Sequence, residues 1–138
     1  MKTAVVYYSY NGSTKKLAEK MAKEQAIDCI EVRDPSRPGA LKAYVAGCFA
    51  AVRQKAWPIV PEKLALDEYE TIILMAPVWA GHPAPQIHAV IQNLPQGKEI
   101  AFMAVSASGN SSAKEKIQAA IEAKGCSIKD YQNIRTGS

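Results

Sequence analysis

The sequence is poor in the residues that build metal centres and disulfide frameworks. It has two histidines and three cysteines, and Cys29, Cys48 and Cys126 form no C-x-x-C pair. An odd number of widely spaced thiols favours small, buried apolar side chains in a reducing compartment. We therefore expect neither a disulfide nor a metal site.

Long apolar runs are also missing. No run approaches the roughly 18 residues that a membrane span requires. The chain passes from Met1 and Lys2 directly into a strand-like segment, with no small-residue cleavage site behind it. These observations predict a cytoplasmic protein with no membrane span.

Positive charge is in modest excess but is not concentrated. The 17 lysines and arginines exceed the 13 aspartates and glutamates, which gives a formal net charge of +4. No strip of basic residues is interleaved with aromatic residues. A solvated basic surface is therefore favoured over a nucleic-acid interface, and we expect no nucleic-acid partner.

What the sequence does contain is a regular alternation of strand and helix patterns. β-branched and aromatic runs predict strands at residues 2–8, 27–32, 71–76, 99–105 and 127–134. Apolar positions at helical spacing predict helices at residues 14–25, 40–55, 86–94 and 111–124. The alternation predicts a single doubly wound α/β domain over residues 1–138, with a parallel sheet and helices on both faces.

Three loops follow the carboxyl ends of these strands, where ligands bind in such sheets. They cover residues 9–14, 77–85 and 106–110. The first and third are rich in hydroxyls, amides and glycine, and the middle one carries prolines and a tryptophan. Together they suit a ligand with a phosphate at one end and a flat ring at the other.

The first loop, SYNGST, joins a strand to a helix N-terminus. Unpaired backbone N–H groups, the positive end of the helix dipole and the hydroxyls of Ser9, Ser13 and Thr14 would form an anion pocket. Gly12 permits a tight turn. An ordinary N-cap would use the same residues, and neither common nucleotide motif, G-x-G-x-x-G or G-x-x-x-x-G-K-[ST], is present. Both interpretations stay open from the loop alone.

The middle loop, PVWAGHPAP, has three prolines that restrict its backbone and hold Trp79 in place before a ligand arrives. An indole there either stacks on a planar heterocycle or closes the core beneath the loop. Beside a phosphate-type loop we favour stacking. We interpret His82 as bracing the loop and His88 as lying on a helix surface.

These two loops, in this order, resemble those of flavodoxin-like proteins. SYNGST resembles the flavodoxin phosphate loop, T/S-x-T-G-x-T, and PVWAGHPAP resembles the flavin-ring loop of flavodoxin-like FMN oxidoreductases. The order and spacing of the elements match over nearly the whole chain. The resemblance implies a flavodoxin-like doubly wound five-stranded parallel sheet, in the order 2-1-3-4-5, with FMN between strands one and three.

The resemblance also implies roles for individual residues. The FMN phosphate would be held by Ser9, Asn11, Ser13 and Thr14 with the backbone amides from Gly12 onward, and Tyr10 of the same loop would also bind the cofactor. The isoalloxazine would be lined by Pro77, Val78, Trp79, Ala80 and Gly81. The other side of the ring would be closed by Ser106, Ala107, Ser108, Gly109 and Asn110. The flavin is the redox centre in this family, so no catalytic side chain is expected.

The expected function is therefore that of an FMN-binding redox flavoprotein. It would be either a flavodoxin-type carrier with a redox partner protein or a small NAD(P)H reductase for a quinone-type acceptor. Shuttle flavodoxins are typically acidic, whereas this chain carries a net charge of +4, so a carrier would need an acidic partner or a contact that charge does not drive. The alternative from another class is a flavodoxin-fold interaction or assembly module without redox activity.

The sheet is expected to lack the usual C-terminal fifth helix, because only residues 135–138 follow the last predicted strand. An uncovered sheet face would expose an apolar patch. We expect a homodimer contact or the connection at residues 53–70 to cover it, or the chain to be truncated.

Overall fold

The structure is a computed structural model and describes residues 2–10, 12–35, 58–79, 81–109 and 111–135. Its first elements are β1 (Thr3–Tyr8), α1 (Ser13–Gln25) and β2 (Asp28–Val32). They are followed by β3 (Thr71–Trp79), β4 (His82–Pro83) and α2 (Gln86–Gln92). The last are β5 (Glu99–Ser106), α3 (Lys114–Ala123) and β6 (Ser127–Arg135). The helix predicted at 40–55 and Cys48 lie outside the described residues.

The sheet runs in the order β2-β1-β3-β5-β6, with every neighbouring pair parallel. Counted over these five strands, this is the predicted order 2-1-3-4-5, and the doubly wound fold is confirmed. The short strand β4 pairs antiparallel to β3 and makes the sheet six-stranded. That sixth strand was not predicted, because two residues carry no detectable period.

The two faces of the sheet pack against different helices. On one face Val6, Leu74 and Phe102 join a core with apolar residues of α2 and α3. On the other, Val5 and Met75 pack against α1 in a smaller cluster. These side chains are at most a few per cent exposed, and each contributes about 1.5–3 kcal/mol by its burial.

The connection before β3 belongs to the larger core. Ile59, Leu66 and Tyr69 are buried there. The Tyr69 hydroxyl donates a hydrogen bond of 2.6 Å to Asp28 Oδ2, which together with burial raises the pKa of Tyr69 to about 12. For its described residues, the prediction that this connection covers the α1 face is wrong, since they pack on the opposite face. Cover by a homodimer stays a prediction.

Strand β3 extends three residues beyond its predicted end at Ala76, so the prediction that Pro77 stops it is wrong. The pairing with β1 ends at Tyr7 and Met75. The Pro77 carbonyl accepts a hydrogen bond of 2.8 Å from the Ala84 N–H. In a β-strand, the N–H and the C=O of one residue point to the same side. At Pro77 that side is no longer paired with β1, so the N–H that proline lacks removes no hydrogen bond between β3 and β1.

Two further features concern exposure and membrane spans. Cys126 is buried but Cys29 is exposed, so the expectation of buried thiols is wrong for Cys29, which lies on the edge strand β2. Among the described residues, no helix combines the length and the apolar character needed to cross a bilayer.

Candidate functional site

The loops after β1 and β5 contain the same turn. The Gly12 N–H donates a 3.0 Å hydrogen bond to Ser9 Oγ, and the Gly109 N–H donates a 2.9 Å hydrogen bond to Ser106 Oγ. Both glycines have a left-handed φ, 98° and 76° respectively. An S-x-x-G turn therefore shapes the backbone at two strand ends that flank β3.

Helix α1 begins without a side-chain cap. Its N-cap residue is Gly12, no side chain makes a capping hydrogen bond, and its first turn holds no acidic residue. A Cβ built on Gly12 would meet no atom of the described residues within 4 Å, so none of them fills the space beside this helix start. Of the two interpretations of the loop, an anion pocket suits this arrangement better than ordinary capping.

A cavity of about 500 Å³ lies beside this helix start, and its volume is typical of a cofactor site. Its described lining is formed by Tyr8, Ser9, Tyr10, Gly12, Lys15, Glu31, Arg33 and Asp34. The Lys15 Nζ lies 3.9 Å from Glu31 Oε2, and the Arg33 guanidinium lies 2.6 Å from Glu31 Oε1. The cavity therefore combines cations, carboxylates and hydroxyls at the carboxyl ends of β1 and β2.

Trp79 is part of the larger core and is 8% exposed. Its ring lies edge-on to Tyr8, with centroids 6.2 Å apart, and edge-on to Tyr10, with centroids 5.8 Å apart. Both tyrosines line the cavity. The aromatic cluster thus reaches the cavity through its tyrosines, and stacking by Trp79 on a ligand stays a prediction.

The middle loop is hydrogen-bonded to the segment that directly follows the third loop. The Ser112 N–H donates to the Gly81 carbonyl at 2.6 Å. A Cβ on Gly81 would lie 3.3 Å from Ser112 Oγ, and the φ of Gly81 is 79°. Only glycine suits this left-handed close approach without strain. The structure therefore brings the middle loop next to Ser112, two residues after the third predicted segment.

The third loop is anchored to β6 just beyond its predicted residues. Ser111 Oγ lies 2.7 Å from the Tyr131 hydroxyl and donates a 2.6 Å hydrogen bond to Asn133 Oδ1. The Tyr131 hydroxyl is therefore the donor to Ser111. Burial raises the pKa of Tyr131, so the phenol keeps its proton at neutral pH.

The predicted site residues are distributed unevenly around the cavity. Ser9, Tyr10 and Gly12 line it, and Thr14 is fully buried at the start of α1. None of the described members of the second and third sets, 77–79, 81 and 106–109, is among its lining residues. Three predicted residues, Asn11, Ala80 and Asn110, lie outside the described residues.

Sequence reasoning missed a partly buried hydrogen-bond group centred on Asp34. The Tyr8 hydroxyl donates to Asp34 Oδ2 at 2.6 Å, and the Gln86 side-chain amide donates to Asp34 Oδ1 at 2.8 Å. Asp34 lies two residues beyond β2, which neighbours β1 in the predicted order. That position placed it at the ligand-binding edge, and this signal was available in the sequence.

The prediction that His88 lies on a helix surface is wrong. It is 5% exposed, and Gln86, Ile87 and Val90 beside it are also buried. Burial, and to a lesser extent the charge of His82, lowers the pKa of His88 to about 4. Its Nε2 atom is buried and has no hydrogen-bond partner in the part of the chain that the structure describes. Helix α2 is buried on more than one side, which its short apolar pattern does not reveal.

Comparison with protein-family models and with curated proteins gave no match. Among solved structures, the chain is similar to a flavoprotein in complex with FMN from Lactobacillus acidophilus NCFM, with a TM-score of 0.76, 25% identity, and coverage of 94% of this chain and 91% of that one. It is similar to the two-electron reduced flavodoxin of Megasphaera elsdenii, with a TM-score of 0.56, 14% identity and coverage of 99% and 90%. An NADH:FMN oxidoreductase matches with a TM-score of 0.50, 19% identity and coverage of 95% and 72%.

Proposed function

Since the chain has the flavodoxin-like fold, we propose that it is an FMN-binding redox flavoprotein. The observation that carries the proposal is the glycine-started, uncapped N-terminus of α1, which opens beside a cavity of about 500 Å³. A phosphate dianion suits backbone donors and a helix dipole that no side chain neutralises. The FMN complex of the Lactobacillus acidophilus flavoprotein, which is similar over nearly the whole chain, supports this choice of ligand.

The residues present fit such a cofactor. The backbone amides at the start of α1 and the Lys15 ammonium would hold the phosphate, and Ser9 fixes the turn through Gly12. Tyr8 and Tyr10 give the cavity aromatic surface. FMN, when bound, supplies the electron-transfer chemistry. The task of this chain's own residues is then to bind it, orient it and limit the access of water.

The proposal includes two more specific functions. The protein either passes electrons to a partner protein or reduces a small acceptor, such as a quinone, with electrons from NAD(P)H. An NADH:FMN oxidoreductase shares the fold, which supports considering the second role. The net charge of +4 favours an acidic partner surface in the first. A cytoplasmic location stays a prediction from the sequence.

Titration of the purified protein with FMN and with riboflavin tests the proposal. FMN should bind with the spectral changes of a sequestered flavin and should bind more tightly than riboflavin, because only FMN has the phosphate. Lys15→Gln should weaken FMN binding and leave riboflavin binding unchanged. Lys16→Gln is the matched control, since Lys16 is an exposed lysine on the same helix that is not among the described lining residues.

Failure of the protein to bind either flavin would reject the proposal and favour the interaction or assembly module. Equal binding of FMN and riboflavin would reject the phosphate pocket at α1. If FMN binds, NAD(P)H oxidation with and without a quinone separates a reductase from a carrier.

A further inference from the structure

We propose that Asp34 is a positioning residue for the Trp79 hairpin, defined by the described residues 77–79 and 81–84, and that it acts on ligand binding through Tyr8 and Gln86. The proposal rests on the proposed function, because the ligand is FMN. Asp34 is half-buried at the end of β2 and lines the cavity.

The first link runs from Asp34 through Tyr8 to the hairpin. The Tyr8 hydroxyl donates to Asp34 Oδ2 at 2.6 Å, a short hydrogen bond of the charge-assisted kind. Tyr8 is 1% exposed, and its ring lies edge-on to Trp79 at an interplanar angle of 83°. Asp34 therefore fixes the ring that packs against the indole.

The second link runs from Asp34 to the other end of the hairpin. Gln86 is the first residue of α2, which follows β4 closely in the chain. Its side-chain amide donates to Asp34 Oδ1 at 2.8 Å. Gln86 is 1% exposed, and its Oε1 has no hydrogen-bond partner among the described residues. One carboxylate is thus bonded to a residue that packs against Trp79 and to the residue two positions after the hairpin.

An ionised carboxylate suits this place because it accepts on both oxygens. An asparagine has one acceptor oxygen and no charge, so at its amide nitrogen either the Tyr8 hydroxyl or the Gln86 amide loses its acceptor and must turn to accept instead. Asp34→Asn therefore removes the charge from both links and disturbs the geometry of one, while keeping nearly the same volume. Tyr8→Phe removes the hydrogen bond of the first link and keeps the aromatic ring.

The charge of Asp34 allows the direction of the change in FMN affinity to distinguish two possible roles of this residue. Asp34→Asn removes a negative charge from the cavity that we assign to the FMN dianion, so a purely electrostatic role predicts tighter FMN binding. A positioning role predicts weaker binding. Tyr8→Phe leaves the charge unchanged and should also weaken binding.

The experiment uses the full chain in a Trp57→Phe background, so that Trp79 is the remaining tryptophan. Variants Asp34→Asn, Tyr8→Phe and their double are compared with Asp67→Asn, which neutralises an exposed aspartate far from the hairpin. The readouts are Trp79 fluorescence anisotropy and emission maximum without ligand, and the FMN dissociation constant. Each single variant should lower the anisotropy and weaken FMN binding roughly three- to tenfold, and the control should change neither.

Because both variants affect the hydrogen bond between Tyr8 and Asp34, their effects on FMN binding should be less than additive in the double variant. Unchanged Trp79 anisotropy together with unchanged or tighter FMN binding in Asp34→Asn would overturn the proposal, and so would additive effects in the double variant. If Asp34→Asn fails to fold, the Trp79 anisotropy and the FMN affinity of Tyr8→Phe provide the test. If the parent chain binds no FMN, the proposed function fails, while the anisotropy comparison still decides whether Asp34 positions the hairpin.

Discussion

The ring of Tyr10 lies edge-on to the indole of Trp79, with centroids 5.8 Å apart and planes at 84°. Tyr10 belongs to the loop after β1 and Trp79 to the end of β3, so this contact joins two of the loops at the ligand-binding edge. Edge-to-face pairs of this kind contribute about 0.5–1.5 kcal/mol beyond the burial of the rings. The contact makes Trp79 part of the fold as well as of the candidate site.

Replacing Trp79 should therefore lower the free energy of unfolding even in the absence of a ligand. Trp79→Ala empties a buried site between two tyrosines and should lower the free energy of unfolding by about 3–5 kcal/mol. Trp79→Phe keeps an aromatic ring there and should cost distinctly less. Urea unfolding of both variants measures this. Equal costs for the two variants would show that the ring contacts contribute nothing.

Gly12→Ala separates backbone strain from ligand contact. The φ of Gly12 is 98°, a conformation that a residue with a Cβ adopts only with strain, and we expect a loss of about 1–2 kcal/mol. Gly97→Ala is the matched control, because its φ is 78° and a Cβ at either glycine meets nothing within 4 Å. Both should destabilise to a similar extent in urea, but only Gly12→Ala should weaken FMN binding. Equal FMN affinities for the two variants would place the phosphate elsewhere.

The buried His88 predicts a pH dependence of stability. Its pKa is lowered to about 4 from the ordinary value of 6.5, mainly by burial. Between these values the unfolded chain takes up a proton that the folded chain does not bind. The free energy of unfolding therefore has its full value, as far as His88 is concerned, above pH 6.5. It decreases as the pH falls towards 4, by at most about 1.4 kcal/mol per pH unit.

The variant His88→Leu should remove this part of the pH dependence, and at His88 Nε2 it breaks no hydrogen bond to any described residue. Unfolding free energies measured at pH 7 and pH 4.5 in both proteins provide the comparison. His82→Gln is the control for the second histidine. A wild-type protein whose pH dependence equals that of His88→Leu would contradict the prediction.

Tyr131 contributes to the fold in two separable ways. Its ring stacks on Phe102 with centroids 5.3 Å apart and planes at 7°, and its hydroxyl bonds Ser111 at 2.7 Å. Tyr131→Phe loses only the hydrogen bond and should cost about 1 kcal/mol. Tyr131→Ala also loses the stack and should cost more. Thermal unfolding of the two variants tests whether Tyr131→Ala is the more destabilising substitution. Identical melting temperatures would refute this prediction.

The sequence by itself determined the fold class, and the resemblance of its loops to those of flavodoxin-like proteins implied the strand order. Continuous apolar runs such as TIILMA and the 3.6-residue spacing in α1 are properties of neighbouring residues, so the sequence shows them directly. It also placed the loops SYNGST and PVWAGHPAP at one edge of the sheet, because the carboxyl ends of parallel strands share an edge.

Only the tertiary structure decided what surrounds each residue. The extension of β3 through Pro77 depends on where β1 ends, and the burial of His88 depends on what packs around α2. Asp34 and Gln86 are 52 residues apart in the chain, yet they share a hydrogen bond. Local patterns report which face of an element is apolar, whereas pairings across the fold depend on how distant elements pack, and no spacing along the chain encodes that.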